Sequence, residues 1–328
     1  MKIQKMKPPI RKSPATIALC ALCALCAAML AAGCTQDESL AAAAAGGAPG
    51  QVPLAIMSAD VQTEVTVTRA STALGAGSSI GVFLSNASGV TSYTAKNNVR
   101  YNCASAAWNP ESEPVRIYLT SDNADVCAYY PYRADVTDAT RVSLTPRVLA
   151  DGEAPLAYAA NLTVNADNKN VTFSMTQACS WLVIDFTRGD MPDDITLTEF
   201  SLIHSGLYKA AQLDVTTGGT SGFTAADGGT LTFTGDIALA KNSTVTRSLS
   251  MVPSPSLGTG LKVSVKVKEY GGKVLSTTLG GITALARGTK YKITLTVDGT
   301  GLAVTSVEVL PWTASTVNNG GNPWIPLP

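Results

Sequence analysis

The sequence predicts an all-β chain, two tandem β-sandwiches behind an N-terminal leader, and three observations predict it. Past about residue 60 the chain runs in short stretches of period two, rich in Val, Thr, Ile and Tyr, as half-buried strands do. Gly, Asn, Asp and Pro punctuate those stretches where hairpins need turns. Beyond the leader no segment keeps a helical period for roughly ten residues, so sheets must bury the apolar side chains.

Residues 1–33 read as a lipoprotein signal peptide. Lys2, Lys5, Lys7, Arg11 and Lys12 give a positive start, and no charge occurs from Ala15 to Ala32. The run ends at Leu30-Ala31-Ala32-Gly33-Cys34, small residues before a cysteine, which is the pattern a lipoprotein signal peptidase cuts. Cys34 is then the first mature residue and the lipidated one. The rival reading is a membrane-spanning helix, for which the apolar run is nearly long enough. The polar Thr35-Gln36-Asp37-Glu38 that follows favours processing, and its acidic pair fits export to the outer face of an outer membrane. Cys20, Cys23 and Cys26 imitate an iron–sulfur spacing, but such a cluster needs a folded domain around it.

Residues 34–60, with Ala41 to Ala45, Gly46, Gly47, Pro49, Gly50 and Pro53, lack apolar periodicity and read as a flexible tether. Strands are then expected at Glu64 to Thr68, Ile80 to Leu84, Arg116 to Leu119, Val126 to Tyr130, Val171 to Met175 and Trp181 to Phe186. Further strands are expected at Ile195 to Leu202, Leu261 to Lys268, Tyr291 to Val297 and Leu302 to Val309. Hairpin turns fit Ala166-Asp167-Asn168-Lys169, Gly271-Gly272 and Asp298-Gly299. Gly189, Pro192 and two aspartates between Arg188 and Asp194 suggest a boundary, giving a first sandwich over 61–188 and a second over 189–328. No close internal repeat stands out.

Removing the leader leaves roughly 295 residues, which suits two ordinary domains. Five of the 24 basic residues lie in the leader and no acidic one does, so the mature chain carries 19 basic against 24 acidic residues, a net charge of −5. That balance leaves no electrostatic footprint for nucleic acid. Beyond Cys34 only Cys103, Cys127 and Cys179 remain, too few and too scattered for a disulfide framework or a zinc ribbon, and at most one pair could bridge.

The chemistry-bearing motifs are weak. His204 is the only histidine, which removes most metal sites and leaves a triad one candidate base. Gly77-Ser78-Ser79-Ile80-Gly81 matches G-x-S-x-G, and Ser79, Asp185 and His204 follow in hydrolase order, but a nucleophile elbow joins a strand to a helix and here a strand follows. No enzyme activity, cofactor or metal is expected. Arg188-Gly189-Asp190 is the tripeptide integrins recognise, yet Gly and Asp belong in turns for backbone reasons. Tyr129, Tyr130 and Tyr132 could stack on sugar rings or pack in a core.

Several segments together resemble the fimbrillin family, subunits of type V pili of Gram-negative anaerobes. They are Ile80-Gly81-Val82-Phe83, Asn97-Asn98-Val99-Arg100-Tyr101, Trp108, Ala124 to Tyr132 and Pro155-Leu156-Ala157-Tyr158-Ala159. Met251-Val252-Pro253, Gly288-Thr289-Lys290-Tyr291 and Val307 to Trp312 continue the likeness almost to the C-terminus. The resemblance implies transthyretin-like sandwiches and assembly by strand exchange with other fimbrial subunits. In that scheme the lipid holds the precursor at the outer membrane, an arginine-specific protease removes the first strand, and a C-terminal strand of the next subunit fills the groove. From Thr35 to Thr68 there is no Lys or Arg, so the first such site is Arg69, after an alternating strand in which Val65 and Val67 would face the core. The implied donor contacts are Leu302, Val304, Val307 and Val309. The competing expectation is a monomeric surface lipoprotein that binds glycan or another ligand.

Overall fold

In the computed structural model, residues 47–63 and 70–311 are described. In chain order the strands are β1 (Val52–Pro53), β2 (Ala55–Thr63), β3 (Ala70–Ala73), β4 (Ser79–Asn86), β5 (Lys96–Ala104), β6 (Ala107–Pro110), β7 (Tyr118–Leu119), β8 (Ala124–Tyr130), β9 (Val142–Leu144), β10 (Arg147–Val148) and β11 (Ala157–Val164). They continue as β12 (Asn170–Gln177), β13 (Ser180–Arg188), β14 (Ile195–Ile203), β15 (Tyr208–Leu213), β16 (Thr220–Ala225), β17 (Thr230–Leu239), β18 (Thr244–Met251), β19 (Lys262–Val267), β20 (Lys273–Thr278), β21 (Thr289–Val297) and β22 (Leu302–Pro311). Only two short 3-10 turns interrupt them among the described residues.

The first half folds as two layers. The group β3-β2-β12 joins the group β11-β8-β4-β5-β6 through only two rungs, Ala157 with Gln177 and Tyr158 with Thr176. Between the layers lies a core that includes Ile80, Val82, Tyr101, Val126, Phe173 and Met175. The alternation in β12 shows the cause: Val171, Phe173 and Met175 point inward while Asn170, Thr172, Ser174 and Thr176 face water.

A second core lies between the sheet β10-β18-β13-β21-β22 and the sheet β17-β14-β19-β20. Its stacked Phe200 and Phe233 rings lie 5.0 Å apart. A smaller cluster joins Ala211 and Leu213 of the β16-β15-β9 sheet to Phe83, Cys127 and Tyr129.

Three expectations need correction. The tether expected to run to Asp60 instead enters the fold at Val52, and β2 runs parallel to β12 with Ile56, Ala59 and Val61 buried. Its period was hidden by a bulge: Ile56 and Ser58 face consecutive residues of β12, so Met57 is the extra residue, 62% exposed. The change of sheet comes at Ala178 and Cys179 rather than near 188–194, because β13 pairs with β18 and β21 over its whole length. Of the strand expected at Arg116 to Leu119, only Tyr118 and Leu119 pair, behind a 3-10 turn at Glu113–Val115.

β13 also serves both cores. Trp181 and Val183 belong to the first, while Leu182, Ile184 and Phe186 belong to the second. The described residues from Gln51 onward accordingly form one compact unit.

Candidate functional site

β2 is the first long strand among the described residues, yet it is not an edge strand. It lies between β12, parallel, and β3, antiparallel. Its neighbour β3 begins at Ala70, the residue after Arg69, so the candidate cleavage position falls between two adjacent strands of one sheet. Removal of β2 would vacate an inner position and expose the first core, where Leu54, Ile56, Ala59 and Val61 are buried. The residues Cys34, Val65, Val67 and Arg69 themselves lie outside the described residues.

The other candidate residues occupy β22, the edge strand beside β21. Leu302 is buried, and Val304 and Val307 pack partly against the second core. Further along, the strand loses cover: Val309 is 54% and Leu310 37% exposed. These two alternate in facing, so the end of β22 shows apolar side chains on both faces. Charged neighbours frame it. Leu310 pairs with Lys290, whose ammonium lies 4.2 Å over the Trp181 ring and whose pKa burial pulls down. Glu308 pairs with Lys292, which reaches Asp185 at 3.3 Å.

No catalytic constellation assembles from the sequence candidates. Ser79 Oγ donates to Asn102 Oδ1 at 2.7 Å, Asp185 accepts from Thr246 Oγ1 at 2.6 Å, and His204 Nδ1 accepts from the Gly206 amide at 2.9 Å. None of the hydrogen bonds among the described residues joins any two of those three. Among the described residues no cluster of His, Cys, Asp and Glu could hold a metal ion. The Arg188-Gly189-Asp190 tripeptide is not displayed for recognition, since the Arg188 side chain is only 2% exposed and pairs with Asp194 at 3.2 Å. Tyr129 and Tyr130 are core residues; the Tyr129 hydroxyl donates to Asn98 Oδ1 at 2.7 Å and accepts from the Arg133 amide at 3.1 Å. Tyr132 lies under Arg100, 5.2 Å from its guanidinium carbon to the ring centre.

Cys103, Cys127 and Cys179 are all buried and free. Cys103 of β5 points into the first core and Cys127 of β8 into the small cluster on the other side, with β4 between their strands. A Cys103–Cys127 bridge is therefore ruled out geometrically.

Among curated proteins no relative matches. A crystal structure of a Bacteroides uniformis protein, provisionally assigned to cell adhesion, is 22% identical and aligns over 78% of this chain and 98% of its own, with a TM-score of 0.52. A second such protein, from Bacteroides ovatus, is 18% identical and aligns over 80% and 98%, with a TM-score of 0.55. These likenesses establish the fold. A family model described as fimbrillin-like matches residues 68–312, most of the sequence and nearly all of the strands built up above, and the chain therefore belongs to the fimbrillin-like family.

Proposed function

We propose that this chain is a structural or adhesive subunit of a surface fimbria. It is exported as a lipoprotein acylated on Cys34, held at the outer membrane by that lipid, trimmed after Arg69 by an arginine-specific protease, and joined to other fimbrial subunits by donor-strand exchange. Membership in the fimbrillin-like family carries the fimbrial role. The cell-adhesion assignment of the two Bacteroides structures points the same way and is carried over only as part of this proposal.

What supports the exchange step is the inner position of β2. A strand between two neighbours cannot leave without opening two rows of backbone groups and uncovering Ile56, Ala59 and Val61. Only another strand restores both the ladder and the burial. The tether, β2 and the stretch holding Val65 and Val67 all precede Arg69 and would leave together. The donor comes from the region of Leu302, Val304, Val307 and Val309, whose last part, at Val309 and Leu310, already has little cover.

Sequencing the N-terminus of the protein taken from the cell surface tests this reading. The expected polymerised form begins at Ala70, and an Arg69→Ala variant remains unpolymerised and begins at Cys34. A variant that still polymerises, and whose surface form still begins after residue 69, would remove strand release at this site.

A further inference from the structure

β2 and β22 lie in different sheets, yet they carry one pattern. Laid together without a gap, Leu54-Ala55-Ile56-Met57-Ser58-Ala59-Asp60-Val61 matches Leu302-Ala303-Val304-Thr305-Ser306-Val307-Glu308-Val309. Leu, Ala, Ser and Val recur identically at the first, second, fifth and last positions, and Ile56 with Val304 and Asp60 with Glu308 are replaced in kind. The folded geometry agrees at the position where a chance match would fail most easily. β22 is bulged too: Val304 and Ser306 face consecutive residues of β21, so Thr305 is its extra residue, and Thr305 aligns with Met57. Both bulge residues are exposed. On either side of the bulge the apolar residues keep the same spacing: Leu54, Ile56, Ala59 and Val61 are buried in one strand, and in the other Leu302, Val304 and Val307 pack on the second core while Val309 continues the series uncovered.

We infer that β22 of a second copy of this chain replaces β2 in a fixed register, Leu302 at the place of Leu54 and Val309 at the place of Val61, parallel to β12 with the bulges coincident. The inference rests on the strand-exchange reading above and adds its partner, direction and register. A one-residue slip would turn every apolar side chain of the inserted strand toward water. The shared bulge blocks such a slip, because the kink in β12's neighbour has to fall opposite Val171 and Thr172. It also explains why Val309 stands exposed in this copy: in the groove it takes the place of Val61, which is wholly buried. The one bulky departure is Val307 at the place of Ala59, where a tightly packed site receives a larger side chain.

Disulfide capture tests the register. In β2, Ser58 Oγ lies 3.5 Å from Thr172 Oγ1 and is paired with it, so Ser306 should arrive beside Thr172, and Glu308 beside Ser174. Full-length mature protein carrying Thr172→Cys is trimmed with a trypsin-like protease and mixed, under oxidising conditions, with a synthetic peptide of residues 302–311 carrying Ser306→Cys. The expected result is a covalent adduct by mass spectrometry. It is lost with a peptide lacking residue 305, and absent with trimming blocked by Arg69→Ala. Ser174→Cys with a Glu308→Cys peptide gives the same result, and a Val307→Ala peptide is captured at least as well as the parent. Adducts formed instead by peptides carrying Thr305→Cys or Val307→Cys would overturn the register while leaving strand exchange intact. Filaments without capture of any peptide would exclude β22 as the replacement strand. Trimmed protein that neither polymerises nor captures peptide would sink the exchange reading and this inference with it.

Discussion

Arg287 holds Tyr158: its Nη1 donates to the Tyr158 hydroxyl at 3.0 Å while the guanidinium lies 5.5 Å from the centre of the same ring. The same nitrogen donates to the Gly218 carbonyl oxygen at 2.8 Å. One half-buried cation thus ties β11 to the β15–β16 hairpin and to the segment before β21. Arg287→Ala leaves that carbonyl and hydroxyl without their donor and should cost about 1–3 kcal/mol in chemical denaturation. Lysine restores little, because it lacks the planar fork. An unchanged denaturation midpoint would show the junction to be ornamental.

Gly81 has no room for a side chain. A Cβ there would stand 2.2 Å from Tyr129 Cε1 and 2.4 Å from Asn98 Oδ1. Neither neighbour can yield cheaply, since Tyr129 is buried and bonded to both Asn98 and Arg133. Gly81→Ala should lower stability by about 1–3 kcal/mol. Gly77→Ala is a control of a different kind, with open space around it but a φ of +89°, so it reports backbone strain alone.

Alkali should loosen the protein through its buried phenols. Burial pushes the Tyr101 phenol from 10.0 up to about 12, although the Ile117 amide donates to its oxygen at 3.3 Å. A folded value above the unfolded one means that the stabilising contribution is complete below pH 10.0 and is lost as pH rises toward about 12. Tyr129 is pushed to about 12 for the same reason and adds to the slope. Denaturant midpoints measured across that window should fall with pH. Tyr101→Phe should flatten the fall, at a cost near neutrality of about 0.5–1.5 kcal/mol for the lost hydrogen bond.

Thiol chemistry separates the proposed lipidation site from the core. Burial raises the pKa of Cys179 and pushes that of Cys127 to about 12, so with Cys103 also buried the folded protein should resist alkylation until denaturant is added. Cys34→Ala should abolish metabolic labelling with fatty acid and let uncut precursor accumulate. Labelling that survives the substitution would overturn the lipobox reading of Cys34.

The strand around Phe173 was legible in the sequence because one face is buried and the other wet, and the strand around Val126 because it is a short apolar run buried on both faces. β2 was not, because Met57 puts its inward residues out of step, and a run of Ala, Gly and Pro precedes it. The β5–β6 hairpin escaped notice for a different reason. Its turn residues Ser105 and Ala106 adopt φ of 50° and 71°, a conformation usually announced by Gly or Asn. The boundary signal at Gly189 and Pro192 marks only the loop from β13 to β14, while the real change of sheet, Ala178-Cys179, is buried and carries no turn residue. The lipobox and Arg69 remain legible in the sequence alone.

β13 has a mechanical consequence. With Trp181 and Val183 keyed into one core and Leu182, Ile184 and Phe186 into the other, it works as a bolt through two plates. β13 and β21 run side by side in the same direction over eight paired residues. A pull that enters through β12 at the start of β13 and leaves at the far end of β21, by Val297, therefore loads that ladder in shear, so its rungs must fail together instead of unzipping one by one. In a fibre under flow, tension along the chain would be borne by the seam between the cores.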